Sequence, residues 1–331
     1  MSSKKQIKMP SFVGPLIAVI VVSIVLGISS EAFFKFGNIM NVLRQCAINA
    51  MVSLGMLMIL LTGGIDISVG STVALSSCSM GVLMKVGGVT NPVILIVFGL
   101  IVGCGCGLIN GLLFTKLHLP HPFVSTMGTK MAFRGAALLI TAAAPIAGFS
   151  SGVTFVGSAN IGSFPVCFVV VLILFVVVGI FLARTALGRN IYSVGGNKEA
   201  ARLAGINVDK TLLFVYVMSG LMCAIAGIIM VGRVGSAAPL AGETYDTDAI
   251  AACVIGGASM HGGKGTVGGT IIGALLISII RNGLNLLGAQ TDVQYIVIGM
   301  VIIVAVFIDV IRANQDAKSR LKAVAKAQGN S

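Results

Sequence analysis

The sequence predicts an all-α integral membrane protein: one transmembrane domain, residues 1–331, of about ten helices, some short or broken, joined by glycine-rich packing. Three observations carry this. Hydrophobic residues make up 56% of the 331 residues and charged ones 10%, with a mean hydropathy of +1.05, far too apolar for a soluble chain of this length. The apolar residues fall in ten continuous runs instead of alternating, which favours helices over barrel strands. The basic residues are distributed unevenly between alternate connections, as membrane topology demands.

Run 12–29 follows the basic stretch KKQIK and is open to reading as a cleavable leader. It has about 18 residues with no small-residue cleavage site directly behind it, so it is expected to stay as the first helix. Run 47–62 comes second. Run 69–84 is short and edged with glycine, so the segment near 63–88 reads as tilted, broken or re-entrant. Runs 92–115, 123–144, 164–183 and 212–231 each approach the roughly 20 apolar residues that a crossing helix needs. Run 249–255 is too short for that, and the segment near 249–265 likewise reads as tilted, broken or re-entrant. Runs 266–287 and 293–311 complete the set.

Gly99, Gly103, Gly107 and Gly111 recur every four residues, as do Gly265, Gly269 and Gly273. Residues four apart share a helix face, so each set makes a smooth strip where another backbone approaches closely. The seven cysteines lie mostly within apolar runs, and Cys104 and Cys106 read as small packing residues; neither disulfides nor a metal are expected.

A net charge of +12 would suggest a nucleic-acid partner in a soluble protein, but here it is a topology signal and no such partner is expected. Ten crossings with both termini in the cytoplasm put Lys4, Lys5, Lys8, Lys116, Arg184, Arg189, Lys198, Arg202, Lys210, Lys264 and the basic tail 312–331 inside. Lys35, Arg44, Lys85 and Arg233 then fall on the other side.

The longest polar connection is 184–210. Within it Asn197 can cap a short helix, Glu199 sits near its positive end, Arg202 near its negative end, and Gly205 can stop it in a left-handed conformation. Ala200, Leu203 and Ala204 would share one face. Such a helix is marginal alone in water, so it is expected to dock, on this chain or on a partner.

Asp66 stands between two apolar runs beside Gly63 and Gly64. An ionised carboxylate at mid-bilayer costs about 2.5–3.5 kcal/mol on insertion scales, so Asp66 must cap the next helix, line a wet path or form an ion pair. Asn110, Ser125, Thr126, Thr129, Asn282 and Asn285 offer hydrogen-bonding groups inside the spans, either as walls of a translocation path or as glue between helices. Lys130 and Arg134 lie four apart and should point together, with no acidic partner evident. Glu243, Asp246 and Asp248 form an acidic segment that either docks an external protein or is simply solvated.

No engine is legible in the chain. The nearest match to a phosphate loop, GASMHGGKGT at 257–266, has Ala258 in place of the first glycine and Gly265 in place of the final Ser or Thr. There is no HExxH motif and no catalytic carboxylate pair in a soluble domain, so no catalytic residue is assigned. His118 and His121 flank Pro120 and read as surface residues of a short loop.

Several stretches, in order, are LTGGIDISVGS (61–71), GLINGLL (107–113), PFVSTMGT (122–129), TALGRNIYSVGGNKEAARLAGINV (185–208), DAIAACVIGGASMHGGKGTVGGTIIGALL (248–276) and NGLNLLG (282–288). With these the chain resembles, over nearly its whole length, the permease subunits of bacterial ATP-binding cassette importers for monosaccharides of the ribose, xylose and galactoside type. The resemblance implies an inner-membrane subunit that binds no cofactor itself. ATP and Mg2+ are expected on two separate ATPase subunits or one double ATPase, with a second permease chain and an extracytoplasmic sugar-binding protein completing the importer. It also implies that Asn197, Lys198, Glu199, Ala200, Ala201, Arg202, Leu203, Ala204 and Gly205 form the coupling helix that meets the ATPase. Another small polar solute, such as a nucleoside or amino acid, stays open. So does a secondary transporter, for which Asp66 and Asp309 are the only acidic candidates, and so does a membrane scaffold without transport.

Overall fold

The computed structural model describes residues 13–117, 119 and 121–328, with side chains described to 308 and at 310 and 311. Lys4, Lys5, Lys8, His118 and the side chains of Asp309 and of the 312–331 tail lie outside the described residues. Helices dominate: α1 (Val13–Ser29), α2 (Phe36–Leu61), α3 (Val69–Lys85), α4 (Pro92–Lys116), α5 (Pro122–Ile140), α6 (Ser151–Ser158), α7 (Val166–Arg184), α8 (Ala186–Gly196), α9 (Lys198–Leu203), α10 (Val208–Val234), α11 (Tyr245–Ile255), α12 (Val267–Leu286) and α13 (Thr291–Gln328). Two small antiparallel ladders pair β1 (Ile146–Ala147) with β4 (Ser236–Ala237), and β2 (Asn160–Ile161) with β3 (Phe164–Pro165).

Local chemistry sets many boundaries. Asn91 caps α4 by accepting from the amides of Val93 and Ile94, with Pro92 in the first turn where its missing N–H costs nothing. Thr185, Asn207 and Thr266 cap α8, α10 and α12 in the same way. Gly235, at φ +77°, ends α10 in the left-handed region.

The protein is an all-α membrane protein. Among the described residues six helices are long and apolar enough to cross a bilayer: α2, α4, α7, α10, α12 and the 291–308 part of α13. Helix α1 is apolar with 17 residues, and α5, although 19 residues long, carries Lys130 and Arg134. Helix α11 has 11 residues, about 16 Å, against the roughly 30 Å of a hydrocarbon core. Its path is prolonged by 256–266, which returns to α2 where the Gly263 amide donates to Leu61 O (2.9 Å).

Helix α2 is the axis of the fold. From Cys46 to Leu61 it is buried all round, packed by α7, α10, α11 and α12. It begins at Phe36, well before the apolar run at 47, because its first turns carry polar residues that find partners: Asn38 on Asn282, Asn41 on Arg233 and Arg44 on Asn160. The outer helices instead leave apolar side chains exposed, such as Ile17, Ile20 and Ile24 on α1, Ile173 and Val176 on α7, and Ile303 on α13. So extensive an apolar surface belongs against lipid.

The glycine strips do what their spacing requires. A Cβ at Gly103 would lie 2.6 Å from Gly220 O, and one at Gly107 2.2 Å from Tyr216 O, so α4 and α10 pack backbone to backbone. On the second strip, Cβ atoms at Gly269 and Gly273 would meet Gly256 O and Ala252 O, joining α12 to α11.

Candidate functional site

One end of the bundle gathers the ends of α2 and α4, the start of α10, the 256–266 return and the α8–α9 segment. Helix α9 is capped as its sequence requires: Asn197 Oδ1 accepts from the Ala200 amide (2.9 Å). Gly205 (φ +82°) closes it, with the Gly205 amide donating to Arg202 O and the Ile206 amide to Ala201 O, a Schellman arrangement. Ala201 is buried and Lys198 stands over the Phe114 ring at 4.9 Å, so these two hold α9 to the body. Glu199 and Arg202 pair at 3.0 Å in the open. The face expected to dock is uncovered among the described residues: Ala200 and Ala204 are exposed and Leu203 is 90% exposed.

Helix α8, which the polar, glycine-containing sequence does not announce, supports α9. Its Ile191 and Val194 are buried and Tyr192 donates to Gly265 O (3.0 Å). Burial raises the Tyr192 phenol above its ordinary pKa. Gly195 lies against Leu61 O, where a Cβ would be 1.7 Å from the oxygen.

Behind this end, Asp66 is 3% exposed in the turn between α2 and α3. Its Oδ1 accepts from the Ser68 amide (2.8 Å) and the Ser68 hydroxyl (2.6 Å), and its Oδ2 accepts from Asn110 Nδ2 (3.4 Å). Asn110 Nδ2 also donates to Ser68 Oγ at 2.8 Å. The Ile67 amide donates to Thr126 Oγ1 (3.4 Å), so the turn is clamped between α4 and α5. Asp66 therefore organises the start of α3, and no cationic side chain pairs with it among the described residues. Ser125 and Thr129 bond to carbonyls of α5 itself, at Pro122 and Thr126.

Asn282 and Asn285 lie apart from this cluster. Asn282 exchanges two amide hydrogen bonds of 2.9 Å with Asn38, and Asn285 accepts from Gln294 (2.8 Å). The polar residues named from the sequence as one path thus occupy two separate regions of the chain.

The acidic segment needs correction. Asp246 and Asp248 are 4% and 2% exposed, not displayed to an external protein. Asp246 pairs with Lys130 (2.5 Å) and Asp248 takes two bonds from Arg281 (2.7 and 2.8 Å), because carboxylates drawn into a low-dielectric bundle need cations. Glu243 alone of the three is exposed. Arg134 donates to Pro239 O and Ala241 O, so Lys130 and Arg134, pointing together as expected, fasten the segment between β4 and α11. Arg281, not singled out in the sequence, was marked only by being a cation inside an apolar run.

The family model described as branched-chain amino acid transport system / permease component matches residues 38–306. The ribose import permease protein RbsC of Bacillus subtilis (strain 168) is 42% identical over 89% of this chain and 92% of its own length. RbsC of Escherichia coli (strain K12) is 39% identical over the same shares, and the fructose import permease protein FrcC of Rhizobium meliloti is 38% identical over 89% of this chain and 84% of its own. No solved structure matches. The chain belongs to the permease family of ATP-binding cassette importers that its motifs resemble.

Proposed function

We propose that this chain is the membrane subunit of an ATP-driven importer that passes a monosaccharide delivered by an extracytoplasmic binding protein. The observation that carries the reading is the similarity, over about nine-tenths of the chain, to permeases named for ribose and fructose import. A branched-chain amino acid is the competing cargo, suggested by the description of the family model, but the similar relatives above are named for sugars. An ion-coupled carrier is not favoured, because Asp66 already serves serine and asparagine donors.

The finer parts of the reading are these. The α8–α9 end faces the cytoplasm with both termini, following the basic residues of connection 184–210. About ten segments enter the bilayer of the inner membrane, with α1, α3, α5 and the α11 return added to the six long helices. Two copies form the pore. Two ATPase subunits, or one double ATPase, bind ATP and Mg2+ and grip α9 at Leu203, Ala200 and Ala204. A ligand moves such a device only by binding one conformation better than the other, so nucleotide on the ATPase must favour one pose of α9. Glu243 stays the one acidic candidate of its segment for contact with the binding protein.

The test is uptake of labelled D-ribose, D-fructose and leucine by the assembled importer in proteoliposomes. Sugar uptake that requires both ATP and the binding protein supports the reading. Uptake of leucine alone, or uptake indifferent to ATP, contradicts it.

A further inference from the structure

Toward the opposite end from α9, a cavity of about 270 Å³ opens among α2, α10, α11, α12 and α13. Its charged wall is made by Arg233, Asp248 and Arg281, with Gln45, Asn49 and Asn285 beside them. Much of this wall is set inside the bundle: Asp248 and Asn49 are 2% and 6% exposed, and the Arg281 side chain 18%.

Two guanidiniums and one carboxylate do not cancel. Asp248 is committed to Arg281, whose Nε and Nη2 donate to its two oxygens (2.8 and 2.7 Å). Arg233 is left over. Its Nη2 donates to the neutral Asn41 Oδ1 (3.2 Å), and no carboxylate pairs with it among the described residues. The neighbouring charges deepen this excess instead of removing it. Arg44 is near enough for its charge to act on Arg233 and bonds the neutral Asn160, while Asp246, whose charge reaches Asp248, is held by Lys130. A cation partly withdrawn from water among apolar helices calls for a counter-charge.

Hydrogen bonding points the same way. Both Asp248 oxygens are taken by Arg281, and Asn285 Oδ1 is taken by Gln294 (2.8 Å). Arg233 Nε and Nη1 and Arg281 Nη1, by contrast, donate to nothing among the described residues. A donor-rich wall with one positive charge in excess is matched by an oxyanion, and the planar fork of a guanidinium fits phosphate oxygens in pairs. A metal ion or an ammonium group would be repelled there, and a neutral ligand would leave Arg233 uncompensated. The volume equals that of about nine waters at about 30 Å³ each, so a phosphate group fits with part of its hydration.

We propose that this cavity binds one phosphate group in each chain, carried by a free anion or by the headgroup of a phospholipid, with Arg233 as its principal partner. Neither the cargo nor the source of energy for import enters this assignment.

The test is equilibrium binding of radiolabelled inorganic phosphate to the full chain, purified in a neutral, phosphate-free detergent. One phosphate per chain should bind saturably with a Kd of about 1 mM or below. Sulfate should displace it, whereas chloride at equal ionic strength and D-ribose should not. Arg233→Gln removes the uncompensated charge and should weaken binding at least about ten-fold. Gln45→Glu adds a carboxylate to the same wall and should weaken it as much; the Gln45 side chain makes no hydrogen bond among the described residues, so this variant decides if Arg233→Gln does not fold. Short-chain phosphatidylglycerol separates the two sources, with the matching diacylglycerol as its phosphate-free control. Displacement by the phospholipid at lower concentration than by unlabelled phosphate assigns the site to a headgroup, and weaker or no displacement assigns it to a free anion. Absence of saturable phosphate binding, displacement by D-ribose, or binding left unchanged in either folded variant overturns the proposal.

Discussion

Lys130 on α5 and Asp246 at the start of α11 form an ion pair across 116 positions of sequence, tying the helix that clamps the Asp66 turn to the helix that packs on the axis α2. The carboxylate side is almost fully buried and the ammonium side about one-third exposed. The pair therefore matters more for what its rupture would leave behind than for its own attraction.

Lys130→Met alone strands the Asp246 carboxylate. It is expected to lower stability by up to about 3–5 kcal/mol, the range for breaking a buried pair, while Lys130→Met with Asp246→Leu recovers most of the loss. Thermal unfolding in detergent, followed by size-exclusion chromatography, gives the order. A double variant no more stable than the single one would remove the pair from the account.

Gly107→Ala should cripple assembly where Gly105→Ala does not. The added methyl lies 2.2 Å from Tyr216 O at Gly107, whereas at Gly105 nothing lies within 4 Å. Overpacking of this kind costs about 1–3 kcal/mol, enough to deplete folded protein in the membrane. Quantifying folded chain per cell by fluorescence-detected chromatography would settle it; equal yields would contradict the backbone contact between α4 and α10.

The extent of this that was legible in the sequence varies with the kind of signal. Helix α9 was legible to within a residue, because Asn197 and Gly205 carry its ends locally. The glycine strips were legible because a four-residue period has one geometric meaning on a helix. The first turns of α2 were not, since Asn38, Asn41, Arg44 and Gln45 lower the local hydropathy and their partners lie far away in sequence. Helix α8 was hidden by Gly188, Gly195 and Gly196, of which Gly188 and Gly195 are required by close contacts and not by turns. Asp246 and Asp248 looked like surface acids because hydropathy cannot tell a loop that leaves the membrane from one that folds back into the bundle.

Asp66→Ala should act on the shape of the turn. It deprives the Ser68 amide and hydroxyl of their acceptor and leaves Asn110 Nδ2 only Ser68 Oγ, at a cost of about 1–3 kcal/mol for unsatisfied buried groups. Asp66→Asn keeps one acceptor oxygen and should retain most of the stability and at least part of the uptake. Complete loss of uptake in a stable Asp66→Asn protein would mean that the carboxylate charge itself is used, which this arrangement does not require.

Leu203→Asp should leave stability within about 0.5 kcal/mol, because the side chain touches little of its own chain. If α9 is gripped by a motor, uptake should nevertheless fall at least about ten-fold, the result of about 1.4 kcal/mol lost at a docking contact. Glu199→Gln, which breaks an exposed pair worth about 0–1 kcal/mol, should do much less to stability than to coupling. Uptake and ATP hydrolysis are measured on the same proteoliposomes. Parallel loss of folding and uptake would point to a self-contained loop instead.

The central claim is that this chain is a passage without an engine, and the most direct measurement is labelled-sugar accumulation in proteoliposomes holding the chain alone, compared with vesicles that also hold its ATPase and binding protein. The account predicts accumulation against a gradient only in the complete set with ATP, and none from the chain alone under an imposed proton or sodium gradient. Concentrative uptake by the chain alone under such a gradient would contradict it.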